Sequence, residues 1–164
     1  TFDEVVLACH ADQSLRLLKD PDAEEEGLLQ AFPYEKNKVI LHSDDSVLPK
    51  RKTARASWNA YLPRKQEGHA LVTYDMNILQ SLPTKEPFCV SLNHGDQIAG
   101  HKEHARFQYS HPTYHPGRRN AQAKHQNFIR RNGVSFCGAY WGYGFHEDGL
   151  TSGLRVCKAF GAEL

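Results

Sequence analysis

Apolar residues along the chain fall into short runs and helical repeats, and their spacing predicts the order of the secondary structure. The apolar run at residues 4–9 predicts a strand, and Asp12 follows it in a position to cap a helix. Asp20 and Pro21 begin a second helical pattern, because aspartate caps helices and proline tolerates the first helical position. The first part of the chain is therefore predicted as strand, helix and helix.

The middle of the chain changes to short segments rich in strand-forming residues, separated by Pro, Gly, Asp and Lys. Connections of this length suit a mostly antiparallel sheet better than crossovers between parallel strands. Helical spacing returns at residues 120–132, and Gly133 is placed to end that helix. The predicted strands are residues 37–42, 54–59, 70–76, 88–93 and 104–109.

The C-terminal segment combines a strand, a glycine-rich turn and a helix, which completes the prediction of an α+β fold. Val134 and Phe136 predict the strand, and Glu147 and Asp148 stand where the first turn of a helix favours negative charge. The first N–H groups of such a helix lack intrahelical partners, so the turn favours a ligand with anionic or carbonyl oxygens. The glycines of the turn are Gly138, Gly142 and Gly144.

Composition excludes some classes of function. A net charge of +1 over 164 residues implies neither a nucleic acid nor an anionic membrane as partner. No segment approaches the ~18 consecutive apolar residues of a membrane-spanning helix, so no span is predicted. The basic clusters are predicted to be solvated surface, with contact to a substrate carboxylate or phosphate as the alternative. They are Lys50-Arg51-Lys52, Arg118-Arg119 and Arg130-Arg131.

Cysteine and histidine patterns indicate neither disulfides nor a metal site. The cysteines show no C-x-x-C pairing and lie in apolar runs, so they are predicted to be buried small hydrophobes in a reducing, cytoplasmic compartment. His101 with His104, and His111 with His115, lack the thiolate or carboxylate pattern of a zinc site, and no metal is predicted. The cysteines are Cys9, Cys89, Cys137 and Cys157.

The C-terminal segment also carries a family resemblance. Phe136-Cys-Gly-Ala, a glycine and aromatic loop, and Glu147-Asp-Gly-Leu-Thr-Ser-Gly153 resemble the last FAD-contacting segment of the flavin-containing amine oxidase superfamily, which includes protoporphyrinogen oxidase and phytoene desaturase. The form is most similar to a bacterial-type subgroup described as predicted NAD/FAD-binding oxidoreductases. Ala139 stands where the superfamily commonly has an acid. If the acid at this position orders the FAD pyrophosphate in the superfamily, backbone N–H groups must take that role in this chain, or the role is absent.

The resemblance implies bound FAD at the turn. For the aromatic residues of the loop, core packing is the alternative, and for the two acids it is complementarity to the helix dipole. Gly149 and Gly153 are expected to allow close packing of the helix against the strand and the cofactor. The predicted cofactor-binding residues are Gly138, Ala139, Tyr140, Trp141, Gly144, Phe145, His146, Glu147, Asp148, Gly149 and Leu150.

No catalytic residue is identified, and Lys38 and His146 are weak candidates. Lys38 lies in a segment that resembles a strand on which some amine oxidases carry a lysine near the flavin, although a surface lysine is the alternative. Substrate-lining candidates at strand ends and in the loop have core or edge packing as their alternative. They are Trp58, Asn59, Tyr74 and Tyr143.

The resemblance also implies a division of the chain. Residues 1–20 return to an FAD-binding α/β domain, residues 21–132 form a substrate-binding lobe with the antiparallel sheet, and residues 133–164 supply the FAD-binding strand, loop and helix. His10, after the first strand, is expected near the dinucleotide or as a structural histidine. No G-x-G-x-x-G motif is present, so the chain is expected to be a C-terminal portion that partners a missing N-terminal dinucleotide-binding segment.

These expectations combine into one hypothesis of function. The full-length protein is expected to be an FAD-dependent oxidoreductase that oxidises or desaturates a small or apolar substrate, such as a lipid, while this portion alone is inactive. The alternative is a non-catalytic module in which the glycine and aromatic loop binds a ligand or a protein.

Overall fold

The chain leaves a first structural unit, forms a second and returns to the first. The computed structural model describes residues 1–63, 68, 71–94 and 97–162. Thr1–Glu35 and Pro112–Leu164 form the first unit, and Lys36–His111 form the second. Residues 21–35 and 112–132, which the predicted division gave to a substrate lobe, thus lie with the terminal segments. The functional roles of these segments stay predictions.

The element order is α+β, as predicted from the sequence. In chain order the strands and helices are β1 (Val5–Leu7), α1 (Ala11–Leu17), α2 (Ala23–Gln30), β2 (Tyr34–His42), β3 (Trp58–Tyr61), β4 (Leu71–Asp75), α3 (Met76–Leu79), β5 (Cys89–Leu92), β6 (Glu103–Pro112), α4 (Gly117–Gln122), β7 (Val134–Phe136) and α5 (His146–Ala159). None of the described helices is long and apolar enough to cross a membrane.

The first unit is built around a parallel pair of strands, β1 and β7, in which Val5 pairs with Val134 and Leu7 with Phe136. Helices α1, α2, α4 and α5 belong to the same unit. The buried apolar cluster of this unit joins α2 to the segment after β7. Its members are Ala11, Leu28, Leu29, Phe32, Ala121, Phe128, Phe136, Tyr140 and Trp141.

Both N-terminal helices exist, but their caps differ from the predicted ones. Helix α1 is preceded by His10, whereas Asp12 lies in its first turn and pairs with Arg16 at 2.9 Å. Helix α2 is capped by Asp22 instead of Asp20. The Asp22 carboxylate accepts N–H bonds of 2.9 and 2.8 Å from the second and third helical residues, which is the geometry of an N-cap.

The helix predicted at residues 120–132 is wrong in its extent. Helix α4 starts earlier, after Pro116, and a separate 3-10 turn follows at His125–Phe128. The predicted helical spacing places Ala121, His125, Phe128 and Ile129 on one face, and this is confirmed in part, since the first three are buried. The chain breaks between the two pieces because buried His125 turns inward, where its Nε2 donates to the Phe136 carbonyl at 2.8 Å.

The second unit contains a five-stranded sheet in the order β3-β4-β5-β2-β6. Pairs β3–β4, β4–β5 and β2–β5 are antiparallel, which confirms the predicted sheet type. The predicted strand at residues 54–59 is displaced to β3, because Arg55 bonds to the Pro49 carbonyl and to Asp45 and keeps the preceding residues in a loop. Residue 70, the first of the predicted strand 70–76, lies outside the described residues.

One face of this sheet buries a chain of polar side chains. His42 Nε2 lies 2.8 Å from Ser91 Oγ, which lies 2.6 Å from Thr73 Oγ1. The backbone N–H of Asp44 donates to His42 Nδ1 at 3.1 Å, so the ring carries its proton on Nε2 and donates it to Ser91. This tautomer cannot take a proton from the serine. His42 and Ser91 therefore have a structural role, and His42 does not activate Ser91 as a nucleophile.

The buried histidines make stability depend on pH. Burial lowers the pKa of His42, His94 and His125 from the ordinary 6.5, so all three are neutral in the folded chain. The unfolded chain binds these protons first as the pH falls below 6.5. We therefore expect the free energy of unfolding to be highest above that pH and to decline steadily through the acid range towards the lower folded pKa values.

Urea unfolding followed by circular dichroism at about pH 7.5 and about pH 5.5 measures this decline. His42→Gln should reduce the difference between the two conditions, whereas His146→Gln, at an exposed position, should leave it unchanged. Equal pH dependence in the parent chain and His42→Gln would contradict the assignment.

Candidate functional site

The strand β7 turns into helix α5 through a corner that only glycine can form. Gly138 has φ of +154°, and a Cβ added there would lie 2.8 Å from a ring carbon of Tyr140 and 3.4 Å from the Cys9 carbonyl. A side chain at this position is therefore excluded both by the backbone angle and by contact. Gly138 sets the direction in which the chain leaves the sheet.

Helix α5 is tied to this corner by a buried serine. Ser152 Oγ accepts the Gly138 N–H at 2.8 Å, and its hydroxyl lies within reach of the carbonyls of Gly138 and Gly149. A Cβ at Gly149 would contact Ala139 at an ordinary 3.6 Å. Gly149 thus has room for a methyl group, and no described atom outside the helix backbone lies within 4 Å of a Cβ built at Gly153. The predicted need for glycine in packing against the strand is therefore wrong at both positions, and packing against a cofactor stays a prediction.

The loop between β7 and α5 is held by Asp148. One carboxylate oxygen accepts the N–H groups of Tyr143 and Phe145 at 3.0 and 2.9 Å, and the carboxylate occupies the space in which a Cβ at Gly142 would stand. Glu147 is exposed beside it. The two acids, which look equivalent in the sequence, therefore differ, because only Asp148 orders the loop. A cofactor contact by either acid stays a prediction.

Asp148→Ala is expected to lower the free energy of unfolding by about 1 kcal/mol more than Glu147→Ala. Both substitutions remove a negative charge from the first turn of α5, so their effects on the helix dipole cancel in the comparison. Urea unfolding measures the difference. Hydrogen exchange at the Tyr143 and Phe145 amides should accelerate in Asp148→Ala alone, and equal exchange in the two variants would count against the loop contact.

The four aromatic residues of the loop separate into two pairs. Tyr140 and Trp141 are 3% and 5% exposed and pack edge-on against Phe32. Burial raises the pKa of Tyr140, so its hydroxyl stays protonated. Tyr143 and Phe145 are 75% and 59% exposed. For the first pair the core-packing alternative is what the structure shows, and the second pair is free to meet a ligand.

Two side chains of α4, which the sequence interpretation missed, fasten the same loop from the other side. Arg118 Nη2 donates to the carbonyls of Tyr140 and Gly142 at 3.1 and 3.0 Å, and Gln122 Nε2 donates to the same two oxygens at 3.0 and 2.7 Å. The predicted solvated surface is wrong for Arg118, which is only 3% exposed. The spacing of four residues between Arg118 and Gln122 was the available signal, since it places both on one helix face.

The cysteine prediction is also only partly confirmed. Cys89 and Cys137 are buried and free, and burial raises the pKa of the Cys89 thiol to about 12. Cys157 is exposed on α5, contrary to the prediction, because it faces away from the buried Val156 side of the helix. Within the described residues no group of three or more His, Cys, Asp or Glu side chains could hold a metal ion.

The N-terminal end of α5 offers an accessible surface to a ligand. His146, Glu147 and Leu150 are exposed. The Asp148 N–H donates to the Phe145 carbonyl at 3.1 Å, whereas the N–H groups of His146 and Glu147 have no intrahelical acceptor by helix geometry. Together with exposed Phe145, these residues could reach a flat heterocycle with polar edges. The residues present therefore fit a flavin at the outer side of the loop, whereas Tyr140 and Trp141 could contribute only through their backbones.

The candidates in the sheet lie on different faces. Trp58 pairs with Tyr74 across β3 and β4, and their rings meet edge to face at 5.2 Å. Asn59 points to the opposite face, and its amide donates to the carbonyls of Ala56 and Thr73. Lys38 is exposed on β2. The geometry groups Trp58 with Tyr74 and gives Asn59 a structural role.

His10 lies three residues beyond the end of β1 and directly before α1. Its ring stacks on Tyr34 at 4.5 Å, and its backbone N–H bonds to Gln13. Tyr34 in turn accepts the N–H of Ala11. These contacts give His10 a structural role at the start of α1.

Comparisons with known proteins agree with the resemblance in the C-terminal segment. The flavin-containing amine oxidoreductase family matches residues 100–159, a segment that includes β6, α4, β7 and α5. A crystal structure of reduced UDP-galactopyranose mutase matches with a TM-score of 0.58 and 15% identity, over 98% of this chain and 42% of that chain. No curated protein matches the sequence at a significant level.

The family match supports membership of a flavin amine oxidase-like superfamily, and the structural match supports a fold shared with the mutase. The chain spans about two fifths of the length of the mutase structure. The bacterial-type subgroup stays a prediction.

Proposed function

We propose that this chain is the C-terminal portion of an FAD-dependent oxidoreductase of the amine oxidase type, acting on a small or apolar substrate. The observation that carries the proposal is the corner at Gly138, where strand β7 turns towards helix α5. Ser152 binds the helix to this corner, and the N-terminal end of the helix is exposed. The family match over residues 100–159 covers this corner.

The open end of α5 supplies the groups that a flavin needs. Oriented N–H groups and the positive end of the helix dipole favour an electron-rich carbonyl edge. Phe145, His146 and Leu150 are the exposed side chains that would hold the ring there. FAD, when bound, supplies the oxidation, because its ring accepts two electrons. The residues of this chain orient the ring and exclude water from it.

The sheet of the second unit supports an apolar substrate. The polar side chains His42, Ser91 and Thr73 lie on one face of the sheet, and a set of apolar side chains lies on the other. The two sets separate because paired residues in antiparallel strands share a face and successive residues alternate. The apolar face carries half-buried side chains, with Trp58 exposed at its edge. Its members are Leu41, Val72, Tyr74, Val90 and Leu92, together with the buried Val39 and the exposed Trp58 and Ala60. We assign this face to substrate contact.

The outer edge of β1 supports a further, dinucleotide-binding segment. Val5 donates to Gly133 and Leu7 accepts from Cys137, so the N–H and C=O of Val6 point to the opposite edge. No strand pairs with that edge among the described residues, and Val6 is 46% exposed. Parallel strands are normally buried within larger sheets. We propose that an N-terminal dinucleotide-binding segment pairs here.

A longer protein that includes such a segment tests the function. We expect it to purify with a flavin absorbance band that a reductant bleaches, and to release FAD on denaturation. The 164-residue chain alone should retain little FAD, since the phosphate-binding segment is absent from it. A colourless longer protein that releases no flavin would overturn the proposal and favour a non-catalytic binding module.

A further inference from the structure

A cavity of about 340 Å³ in the first unit lies between α4 and the loop that follows β7. Its polar lining is His115, Arg118, Arg119 and Gln122, and aromatic side chains from the loop and from Tyr114 form its apolar walls. Of the described residues that line the cavity, none is acidic. The lining therefore combines positive charge with apolar surface.

Arg118 is the unusual member of this lining, because its charge is buried without a counter-ion. It is 3% exposed, and no ion pair joins it to any carboxylate that the structure describes. Its Nε and Nη1 have no hydrogen-bond partner in the described part of the chain. A buried charge with unused donors is costly, and an anion would offset that cost.

The loop contacts do not explain the charge. Gln122, a neutral amide, already donates to both carbonyls that Arg118 contacts. The Tyr114 ring lies over the guanidinium face, 4.1 Å from its carbon, and leaves the N–H groups unpaired because these point outwards in the guanidinium plane. Tyr114 is 60% exposed, and its hydroxyl donates to the Tyr143 carbonyl, so turning the ring aside breaks that hydrogen bond but leaves the buried cluster in place.

We propose that this cavity binds an organic oxyanion, a carboxylate or phosphate carried on an apolar body, with Arg118 as its main anchor. Arg119 adds charge at the exposed rim, where His115 also lies, and exposed Tyr143 contacts the apolar body above the buried Trp141, which closes the cavity. Charge-assisted hydrogen bonds, such as those from the buried guanidinium of Arg118 to an oxyanion, are stronger than neutral ones. Binding requires neither flavin nor a longer chain, so its outcome is independent of the proposed oxidoreductase function.

Tryptophan fluorescence tests the proposal, because Trp141 lines the cavity and the only other tryptophan is Trp58. In a Trp58→Phe background, benzoate and phenyl phosphate are expected to quench Trp141 saturably. Benzamide, which has the ring of benzoate without its charge, should bind at least about tenfold more weakly than benzoate. The tighter of the two anions identifies the carboxylate or the phosphate as the preferred group.

Arg118→Met should weaken anion binding by about tenfold or more while Gln122 keeps the loop carbonyls paired. If Arg118→Met does not fold, Arg119→Gln at the exposed rim should weaken binding roughly twofold to fivefold. Arg16→Gln is the matched control, since it removes the same charge from a surface outside the cavity, and it should bind like the parent. Equal quenching by benzamide and benzoate, no saturable quenching by either anion, or parent-like binding by the cavity variants would overturn the proposal.

Discussion

Replacement of Gly138 by alanine is expected to lower the free energy of unfolding by about 2–4 kcal/mol. The new methyl group would lie 2.8 and 2.9 Å from two ring carbons of Tyr140, and the residue would keep a φ of +154° that alanine rarely adopts. Tyr140 is buried in the core and cannot move aside freely. The loss has two sources, a strained backbone and a crowded ring, which act together.

Gly153→Ala is the matched control for this experiment. Gly153 lies within α5, and no described atom outside the helix backbone stands within 4 Å of the added Cβ. Alanine should therefore raise the free energy of unfolding by up to about 1 kcal/mol, through its higher helix propensity. Urea unfolding of both variants measures the contrast. A Gly138→Ala chain as stable as the parent, within about 0.5 kcal/mol, would show that the corner tolerates a side chain.

Trp141→Ala is expected to lower the free energy of unfolding by about 3–5 kcal/mol, which is as large as or larger than the effect of Gly138→Ala. Its indole is 5% exposed, stacks on His125 at 4.0 Å and packs against Phe32. Phe145→Ala, four residues later, should change the free energy of unfolding by no more than about 0.5 kcal/mol, because its ring is 59% exposed. The two substitutions separate core packing from ligand contact within one loop.

Circular dichroism during urea unfolding measures this contrast without depending on tryptophan fluorescence. In a longer protein that binds flavin, Phe145→Ala should lower the ratio of flavin to protein, whereas Tyr61→Ala, at a similarly exposed position in the sheet, should not. If Phe145→Ala unfolded the chain, or if Trp141→Ala left stability unchanged, the division of the loop aromatics would be incorrect.

Periodicity predicted most of the strands and the last helix because these elements are determined by local spacing. The run at residues 37–42 lies within β2, and the helix that opens with Glu147 and Asp148 ends at Ala159, before Gly161 with its φ of +76°. Alternation in strands and a glycine after the last helical turn are properties of a few adjacent residues. They can therefore be recognised without knowing the tertiary structure.

The residues that escaped prediction depend on contacts distant in sequence. Arg118 has the composition of a surface residue, and only its bonds to Tyr140 and Gly142 bury it. The helix predicted at residues 120–132 breaks because His125 bonds to Phe136. The loop aromatics have similar chemistry, and the turns at Gly138 and Gly142 decide which of them point inwards. A single sequence does not specify these pairings.

The second unit is an insertion in the chain of the first, and its entry and exit strands, β2 and β6, are neighbours in one sheet. The polypeptide thus departs and comes back along adjacent paths, and the Thr113 N–H bonds to the Pro33 carbonyl where the first unit resumes. Loops beyond those two strands can lengthen, shorten or change composition without altering the distance that the returning chain must bridge. The corner at Gly138 and helix α5 can therefore stay constant while those loops change.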